Sequence, residues 1–548
     1  MLKHCNFMWS TLYAQYKCAR IFGMDKKTRI IIAVIALAVA AFVVVTPSVF
    51  AQTGTATMAA SASAASDEAV DPRAYAEWIY SVFNYVYAHY IDEVDPRVYA
   101  EWIYSVFNYV YSNYIDEVDP KVLYEGAMRG LMDAFGDPHT MYLDSSQQRS
   151  MDDTVNGSFG GVGLLISKLV VNSPDEPSYV LVSQPLKGTP GWYAGIESGD
   201  LIIKIGDIDT STLTMDEVLG LLRGQIGTSV EVTIRRGKSM EFSVVLERAL
   251  IETVTVEYGM IAESPAKTGY IKISEFSALT DKKIQEALDY FKTQNYDSLI
   301  IDLRGNGGGL LMGAELVADK FISEGTIVST KGRNGIVKSE YKASKRRTAI
   351  PEGLPIVVLI DGSSASASEI LAGALKDTKT GYLVGERSYG KGSVQQSLSL
   401  GFNDGAKYTV EKYYSPTDTN IDGIGIPPDL EVTFPELSES DKEIYTKLMN
   451  ANLLYDYAKD HPGMTEADVV AYADELYKEY PMDKLYLRRI IRIYANRTRE
   501  DPLYDYEFDT QLKAAVDTVV RKDFATLLSS VKTLKEIELE REAAAAEE

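Results

Sequence analysis

The stretch from Leu354 to Gln395 places the strongest constraint on the fold of this chain. Leu354 to Ile360 is a continuous apolar run, which is typical of a strand buried on both faces of a sheet. Residues 361–370 then contain four serines, and Leu371 to Asp377 favours a helix. Backbone N–H groups at the start of a helix are unpaired and can hold an anion. The pattern therefore predicts a hydroxyl cluster where a buried strand turns into a helix.

Strands and helices alternate around this stretch, from Ile251 to about Pro435. Predicted strands at Gly269–Ile273 and Ser298–Leu303 are each followed by a predicted helix, at Thr280–Thr293 and Leu310–Ser323. Such alternation implies a largely parallel α/β sheet. We expect residues 251–435 to form this α/β core.

The regions on either side of the core have different patterns. Residues 152–250 are rich in predicted strands and contain one short amphipathic helix, Met215 to Arg223. Residues 436–548 are charged and helix-prone, and the end from Thr533 is expected to fray. We expect a small β domain before the core and a helical region after it.

Residues 71–94 and 95–118 are a tandem duplication. Of their 24 positions 21 are identical, and each copy places apolar residues on one helical face. Two units are fewer than a solenoid needs. We therefore expect two helices that pack in a bundle, within an N-terminal helical region over residues 71–150.

The first 51 residues have the features of an export signal. A basic segment, Asp25 to Arg29, precedes an apolar run from Ile30 to Val45, and a cleavage site is expected between Ala51 and Gln52. Translation is then expected to start at Met24, and residues 52–70 to form a flexible tether. These features predict a location in the periplasm or cell envelope, with a retained membrane anchor as the alternative.

Composition excludes several classes of site and partner. Both cysteines, Cys5 and Cys18, precede the export segment, so the exported chain would have no cysteine nucleophile, thiolate zinc site or disulfide. The formal net charge of −23 argues against a nucleic-acid partner.

Ser366 is the candidate nucleophile of the serine cluster, and it has a structural alternative. Ser366 to Glu369 fits a capping box, in which the hydroxyl and the carboxylate satisfy N–H groups at a helix start. Ser363, Ser364 and Ser368 lie close by, so the chemistry alone leaves the choice of nucleophile open.

Lys391, twenty-five residues after Ser366, is the candidate base. A phosphate loop at Gly385–Lys391 is the alternative, but Gly392 stands where that motif needs Ser or Thr, and a strand is predicted to follow. The loop Gly305–Leu310 also fails the dinucleotide fingerprint, because Leu310 occupies the third glycine position. Both observations argue against a nucleotide cofactor.

The histidines favour lysine as the base. The chain has four, namely His4, His89, His139 and His461, so a Ser-His-Asp triad would need one from outside residues 140–460. A lysine among apolar neighbours can have a pKa near neutrality and can then accept a hydroxyl proton. Gln395 lies four residues after Lys391, so on a strand it would share a face with Lys391 and could orient the amine.

The glycine loop 307–309 is a candidate source of an oxyanion donor. Glycine lets the backbone approach a ligand closely. Together with the Ala367 N–H, one N–H of this loop would form an oxyanion hole, in which each donor typically contributes about 3 kcal/mol.

Several motifs in order give the chain a family resemblance. They are Asp302–Gly309, Ser364–Ile370, Gly385–Gln395, Tyr413–Pro416 and Gly425–Asp429. Over residues 119–435 the chain resembles the carboxyl-terminal processing peptidases, also called tail-specific serine proteases. The resemblance implies a crotonase-like α/β protease core, with Ser366 as nucleophile, Lys391 as general base and Gln395 as its partner. It also implies an oxyanion donor at Gly307 or Gly308, and a supporting role for Asp377.

Residues 152–250 resemble a PDZ domain inserted before the core. In a PDZ domain an extended peptide adds a strand to the sheet edge, and loop N–H groups hold its C-terminal carboxylate. The resemblance places these roles on residues of the glycine loop, the following strand and the short helix, namely Gly161, Val162, Gly163, Leu164, Ile166, Val218 and Leu222. The alternative is that some of these residues are ordinary core of a small β domain.

Together, these features predict an exported serine endopeptidase. It would capture proteins or peptides with apolar C-terminal tails and cleave them with a Ser366–Lys391 dyad, without a metal or cofactor. The helical flanks would support a homodimer, bind an adaptor or cover the protease. A PDZ scaffold without catalysis is the first alternative, and a crotonase-type enzyme that binds acyl-CoA is the second.

Overall fold

The computed structural model describes residues 77–79, 81, 100–168, 177–434, 436–451, 453–496, 499 and 502–547. The predicted export segment, the predicted tether and most of the first duplicated copy lie outside the described residues. Within the described part of the chain, no helix is both long and apolar enough to cross a bilayer.

Within its described residues, the N-terminal region has three helices of eight residues or more and a short strand. They are α1 (Ala100–Asn113), α2 (Pro120–Asp133), β1 (Met141–Leu143) and α3 (Ser145–Asn156). Helix α1 is the second duplicated copy. Its Phe107 is buried in the same cluster as Ile79 of the first copy and Met128 of α2. Helix α2 starts at Pro120, where Asp119 accepts the Lys121 amide hydrogen as an N-cap.

A small β unit follows, with a five-strand path in which all pairs are antiparallel. Its elements are β2 (Ser158–Gly161), β3 (Leu164–Lys168), β4 (Val180–Pro185), α4 (Pro190–Tyr193), β5 (Leu201–Ile205), β6 (Ile208–Asp209), α5 (Met215–Leu222), β7 (Ser229–Arg236), β8 (Met240–Glu247) and β9 (Ala249–Glu252). The strand order is β3-β4-β5-β7-β8, so β3 lies at an edge among the described strands. Strand β2 pairs separately with β9.

The core region contains thirteen further strands and helices. They are β10 (Val256–Met260), β11 (Thr268–Ile273), α6 (Thr280–Gln294), β12 (Ser298–Asp302), α7 (Leu311–Ala318), β13 (Thr326–Lys331), β14 (Val337–Lys342), β15 (Ile356–Ile360), α8 (Ala367–Asp377), β16 (Tyr382–Gly385), β17 (Ser393–Ser399), β18 (Gly405–Tyr414) and β19 (Leu430–Glu431). Six strands form one sheet in the order β10-β11-β12-β15-β16-β19. All its pairs are parallel except β10 with β11. Every residue of β12, β15 and β16 is buried, as the apolar run at 354–360 predicted for β15.

A second sheet lies in the same region and was not predicted. It has the path β1-β18-β13-β14 with β17 on β18, and all its pairs are antiparallel. The prediction of continuous alternation up to residue 435 is therefore wrong here, because β13 leads to β14, and β17 to β18, without an intervening α-helix.

The C-terminal region contributes seven helices of the described chain. They are α9 (Glu439–Asn450), α10 (Leu453–Asp460), α11 (Glu466–Leu476), α12 (Lys484–Ala495), α13 (Thr510–Val519), α14 (Phe524–Ser529) and α15 (Leu534–Glu547). Residues of α9 to α12 share one cluster of their own. The end from Thr533, expected to fray, forms α15 instead, and its first residue, Leu534, is buried in the main core.

Helices cover both faces of the parallel sheet, which a sheet of this kind requires. On one face, Ile301 and Val358 share a cluster with residues of α6, α7 and α8. On the other face, Ile300 and Val357 share a cluster with Leu512 of α13. The C-terminal region therefore completes the core of the α/β unit.

Candidate active site

Ser366 lies at the turn between β15 and α8, at the N-cap position of that helix. Its backbone has φ 55° and ψ −114°. A positive φ is unfavourable for a residue with a Cβ and costs about 1–3 kcal/mol, so the surroundings must hold it in place. The side chain is half-buried, so its hydroxyl lies at the edge of the core.

Two neighbouring serines hold this turn to the loop after β12. The Ser364 hydroxyl donates to the Leu303 carbonyl at 2.8 Å, and the Ser368 hydroxyl donates to the Asn306 carbonyl at 2.9 Å. Both side chains are fully buried. These bonds give Ser364 and Ser368 structural roles. Among the buried and half-buried serines of the cluster, Ser366 is therefore favoured as the nucleophile.

The Glu369 carboxylate is the centre of the site. Its Oε2 accepts the backbone N–H groups of Ser366 at 2.8 Å and Lys391 at 2.9 Å, while its Oε1 accepts from the Ser388 hydroxyl at 2.6 Å and the Gly390 N–H at 2.7 Å. Burial raises the pKa of Glu369, and these hydrogen bonds oppose the rise. One carboxylate therefore joins the Ser366 turn to the Lys391 loop. Glu369 was predicted only as part of a cap, because its contacts with residues 388–391 are not local in sequence.

Lys391 lies in a loop that is packed tightly against residues 420–425. A Cβ on Gly390 would lie 2.7 Å from the Gly425 nitrogen, and one on Gly392 would lie 2.7 Å from the Asp422 nitrogen. Both flanking glycines are therefore required for this close approach. Burial lowers the pKa of Lys391, the charge of Lys407 lowers it further, and Asp137 and Glu369 oppose the shift. The lowered pKa increases the fraction of the amine that is neutral and able to accept a proton.

Gln395 lies on β17, but it does not share a strand face with Lys391 as predicted. Lys391 precedes the strand, and the β17–β18 ladder shifts register between Val394 and Gln395. The argument that a strand places both residues on one face is therefore wrong. The Gln395 amide nitrogen donates to the Ser393 hydroxyl at 2.9 Å and to the Thr409 hydroxyl at 3.4 Å.

The segment from Asp137 to Thr140 also reaches this site, and its role was not predicted. A cleft of about 450 Å³ is lined by Asp137, Pro138, His139, Tyr389, Gly390, Ser393, Thr409, Lys412, Asp422 and Gly423. Burial lowers the pKa of His139, and the charge of Lys391 lowers it further. The polar run at residues 136–140 was the one available signal, and local sequence does not indicate what it contacts.

The glycine loop after β12 lies against Ser366. Gly308 has φ 110°, and a Cβ there would lie 2.8 Å from Ser366 Cβ and 3.0 Å from the Ala367 nitrogen. The Gly308 N–H donates to Asn306 Oδ1 at 2.8 Å. Among the described residues no acceptor is found for the N–H of Gly307 or of Ala367. The structure therefore favours Gly307 over Gly308 as the donor that would act with Ala367.

Asp377 lies at the other end of α8 and joins two distant segments. Its Oδ1 accepts the Leu534 N–H of α15 at 2.7 Å, and its Oδ2 accepts from the hydroxyls of Ser415 and Thr417, both at 2.6 Å. These contacts give Asp377 a structural role, since it connects α8 to α15 and to the turn after β18.

The β unit offers a second candidate site at the edge strand β3. An edge strand has a free row of N–H and C=O groups that an extended peptide can pair with. The preceding loop contains Gly163, where φ is 72° and a Cβ would lie 2.2 Å from Thr189. No acceptor is found among the described residues for the N–H groups of Val162 and Gly163. The loop could therefore hold a carboxylate beside β3.

The predicted groove residues divide into two groups. Val162, Val218 and Leu222 are buried in the core of the unit, as the alternative interpretation held, so they do not line an open pocket in this structure. Leu164 and Ile166 are only partly buried and pack on the edge of that core. Gly161 belongs to β2 and pairs with Ala249 of β9, so it lies just before the candidate loop.

Helix α3 connects the β unit to the second sheet. The Ser146 hydroxyl donates to Asp216 at 2.8 Å, and Asp153 forms an ion pair with Arg223, so both ends of α5 are bonded to α3. From the same helix, Gln148 accepts a long hydrogen bond of 3.5 Å from Ser397 of β17. Helix α3 is therefore a physical connection between α5 and the strand that carries Gln395.

Comparison with known proteins gives matches along most of the chain. The model of peptidase family S41 matches residues 267–432, a PDZ domain matches residues 181–236, and the activating protease CtpB N-terminal domain matches residues 37–147. A carboxy-terminal-processing protease of Bartonella bacilliformis is 36% identical over 320 residues, which cover 57% of this chain and 70% of the relative. A carboxyl-terminal-processing protease of Picosynechococcus sp. is 36% identical over 314 residues, which cover 56% of this chain and 71% of the relative.

A solved structure also matches. The photosystem II D1 C-terminal processing protease is 26% identical, and the alignment covers 66% of this chain and 94% of that chain with a TM-score of 0.38.

Proposed function

Because this chain belongs to the carboxyl-terminal processing proteases of peptidase family S41, with a PDZ domain, we propose that Ser366 and Lys391 form its catalytic dyad. The chain is a serine-type endopeptidase, and the proposal concerns which residues carry the reaction. The observation that carries it is the shared Glu369 oxygen, which binds the backbone N–H groups of both residues.

The reaction follows from the chemistry of the two side chains. The neutral amine of Lys391 takes the proton of the Ser366 hydroxyl while Oγ attacks the scissile carbonyl carbon. The tetrahedral intermediate collapses, the C–N bond breaks, and the Lys391 ammonium gives its proton to the leaving amine. Water then attacks the acyl-enzyme with Lys391 again as base, which releases the acid product and restores Ser366.

The oxyanion of the intermediate would be bound by backbone N–H groups. We assign these donors to Ala367 and Gly307, because neither N–H has an acceptor among the described residues, whereas the Gly308 N–H already binds Asn306. Donors held ready at this position stabilise the transition state more than the substrate. Gly308 instead allows the loop to lie against Ser366.

Substrate capture is assigned to the PDZ domain. We propose that apolar C-terminal tails pair with β3 and that the Val162 and Gly163 N–H groups bind the terminal carboxylate. The substrates would be proteins or peptides that end in such a tail. Because Val218 and Leu222 are buried, a bulky terminal side chain would require α5 to move away from β3.

Three further assignments belong to this proposal. The α/β unit is assigned to the crotonase-like class, which its parallel sheet with helices on both faces supports. The apolar run at 30–45 supports export to the periplasm or cell envelope, with or without a retained anchor. The helical flanks are assigned to a homodimer interface or to binding of an adaptor protein.

The test is cleavage of an unfolded reporter protein with an apolar C-terminal tail. We expect the full chain to cleave it, and Ser366→Ala and Lys391→Ala each to lose cleavage while circular dichroism shows an unchanged fold. Ser363→Ala is the matched control, because Ser363 is exposed in the same turn, and it should keep full activity. Equal cleavage by Ser366→Ala and the unchanged chain would overturn the dyad.

A further inference from the structure

The segment between α2 and β1 is hydrogen-bonded to Thr409 of strand β18. The Asp137 carboxylate accepts from the Thr409 hydroxyl at 2.6 Å, and the Thr140 hydroxyl accepts from the Thr409 N–H at 3.2 Å. Asp137 also accepts from the His139 N–H at 2.9 Å and from the Thr140 hydroxyl at 2.8 Å, which closes the turn locally. Of the side-chain hydrogen bonds that Asp137 and Thr140 make within the described chain, the two with Thr409 reach beyond the segment.

Thr409 is in turn the neighbour of Gln395. The two residues are paired in the β17–β18 ladder, and the Gln395 amide nitrogen donates to the Thr409 hydroxyl at 3.4 Å. Only 5% of the Thr409 surface is exposed, so water competes little for its hydroxyl. A continuous chain of hydrogen bonds thus runs from Asp137 through Thr409 to Gln395.

The same carboxylate lies in a cluster of charges around Lys391. Lys407 is two residues before Thr409 on β18 and shares its face. The groups that act on the Lys391 charge are Lys407 of β18, Asp137 of the 137–140 segment and Glu369 of α8. The charge of Lys391 lowers the pKa of His139 in the same segment, and the charge of Asp422 in the facing loop raises that pKa. The charge of Lys407 thus lowers the pKa of Lys391, and the Asp137 carboxylate opposes the lowering of the pKa of both amines by burial.

We propose that Asp137 is a positioning residue of this site, whose carboxylate fixes Thr409 and through it Gln395, and offsets the charge of Lys407 beside Lys391. The inference rests on the proposed role of Lys391 as general base. Asp137 acts through Thr409 and through its charge. The N-terminal helical region then contributes directly to the catalytic site, because it supplies Asp137.

The charge of Asp137 should change the pKa of Lys391 in a definite direction, whereas a purely structural role of Asp137 would not. A negative Asp137 stabilises the protonated form of Lys391, and a positive Lys407 destabilises it. Asp137→Asn should therefore lower the Lys391 pKa, and Lys407→Met should raise it. The rising limb of kcat/KM with pH reports the base in the free enzyme. That limb should move to lower pH in Asp137→Asn and to higher pH in Lys407→Met.

The first experiment measures kcat and KM from pH 5 to pH 10 with the same tailed reporter. We expect the limb to move by about one pH unit, in opposite directions, in the two variants. Lys342→Met is the matched control, because Lys342 is an exposed cation of β14 in the same sheet that pairs with Glu340, and the limb should stay in place. Limbs that stay in place in all three variants, or move the same way in the first two, would overturn the role of the charge.

The second experiment separates the hydrogen bonds from the charge. Thr409→Val removes the hydroxyl and keeps the Asp137 charge, so kcat should fall by about tenfold, with KM and the position of the limb unchanged. Thr409→Ser keeps the hydroxyl and should retain most of the activity. Equal kcat values for the Val and Ser variants would overturn the positioning role.

Failure of this inference can be told apart from failure of the dyad. If Lys391→Ala is inactive and Asp137→Asn has the unchanged profile, only the role of Asp137 is wrong. If Lys391→Ala cleaves the reporter at the unchanged rate, the base itself has been wrongly assigned and this inference is overturned with it. Thermal denaturation of each variant identifies any loss of activity that comes from unfolding.

Discussion

At the scale of single residues, Ser366 is held in an unfavourable backbone conformation by a buried carboxylate. The positive φ of Ser366 is compatible with folding because its N–H binds Glu369 and because Ser364 and Ser368 fix the turn on both sides. Glu369 is 1% exposed, so its hydrogen bonds are made without competition from water. Glu369, which the sequence predicted as part of a helix cap, therefore also holds the Lys391 loop in position.

Glu369→Gln tests this role. An amide keeps the shape but replaces one oxygen with an NH₂ group, which cannot accept the two hydrogen bonds made there. We expect kcat for the tailed reporter to fall by about tenfold or more, and stability to fall by about 1–3 kcal/mol, since buried donors lose their acceptor. Steady-state kinetics and thermal denaturation measure the two effects.

Tyr413→Phe is the internal control for this prediction. The Tyr413 hydroxyl donates to the Ser366 carbonyl and to Glu369, but at 3.3 Å and 3.5 Å, so both bonds are weak. We expect a much smaller change in kcat than for Glu369→Gln. If Glu369→Gln kept the kcat of the unchanged chain, the carboxylate would not be what positions Ser366 and Lys391.

At the scale of secondary-structure elements, helix α8 connects Ser366 to the C-terminal helix α15. Its first turn carries Ser366 and Glu369, and its last residue, Asp377, binds the start of α15 and the turn after β18. All residues of α8 are buried, so a displacement at one end is passed to the other through close packing. Asp377 can therefore affect activity without touching the substrate.

Asp377→Asn should loosen α15 and the 415–417 turn together. The amide NH₂ cannot accept the Thr417 N–H, so we expect a loss of about 1–3 kcal/mol in stability. Hydrogen exchange should become faster in the first turn of α15, and kcat should fall. Glu542→Gln, at an exposed site further along α15, should leave exchange and kcat nearly unchanged. Unchanged exchange in Asp377→Asn would show that α15 does not depend on this carboxylate.

At the scale of the whole molecule, regions far apart in sequence meet at one site. The α/β core supplies Ser366, the second sheet carries Gln395, the N-terminal region supplies Asp137, and α13 covers the far face of the parallel sheet. Helix α3 bonds to the PDZ helix α5 at two points and to β17 at a third. Helix α3 therefore connects the PDZ domain, where we propose that substrate tails bind, to the sheet that carries Gln395.

Peptide capture by the PDZ domain can be measured on the full chain. We expect Ser366→Ala, which cannot cleave, to bind a peptide with an apolar C-terminal residue and a free carboxylate about tenfold or more tightly than the same peptide with an amidated end, because hydrogen bonds to a charged group are stronger. Isothermal titration calorimetry measures both affinities. Gly163→Ala should lose the difference, because its Cβ would collide with Thr189. Equal affinity for the two peptides would contradict carboxylate binding by this loop.

Local patterns in the sequence predicted several secondary-structure elements of this protein and its candidate reactive residues. The apolar run at 354–360 predicted the buried strand β15, and the serine-rich start of α8 and the glycine-flanked Lys391 indicated a candidate nucleophile and a candidate base. The duplicated copies predicted a helix that the second copy forms as α1. These features depend on hydrophobic periodicity and backbone sterics, which act over a few residues and can therefore be interpreted from sequence.

Tertiary structure decided which of these groups meet. The contacts of Glu369 with the 388–391 loop and the hydrogen bond from the Thr409 hydroxyl to Asp137 join residues between 19 and 272 positions apart, and the second sheet pairs β1 with the distant β18. The bulge at Gln395 likewise broke the alternation from which its orientation had been argued. No periodicity specifies such pairings, because they follow from how the sheets and helices pack. The sequence by itself therefore determined the candidate residues and the secondary-structure elements beside them, and only packing decided which of them lie together.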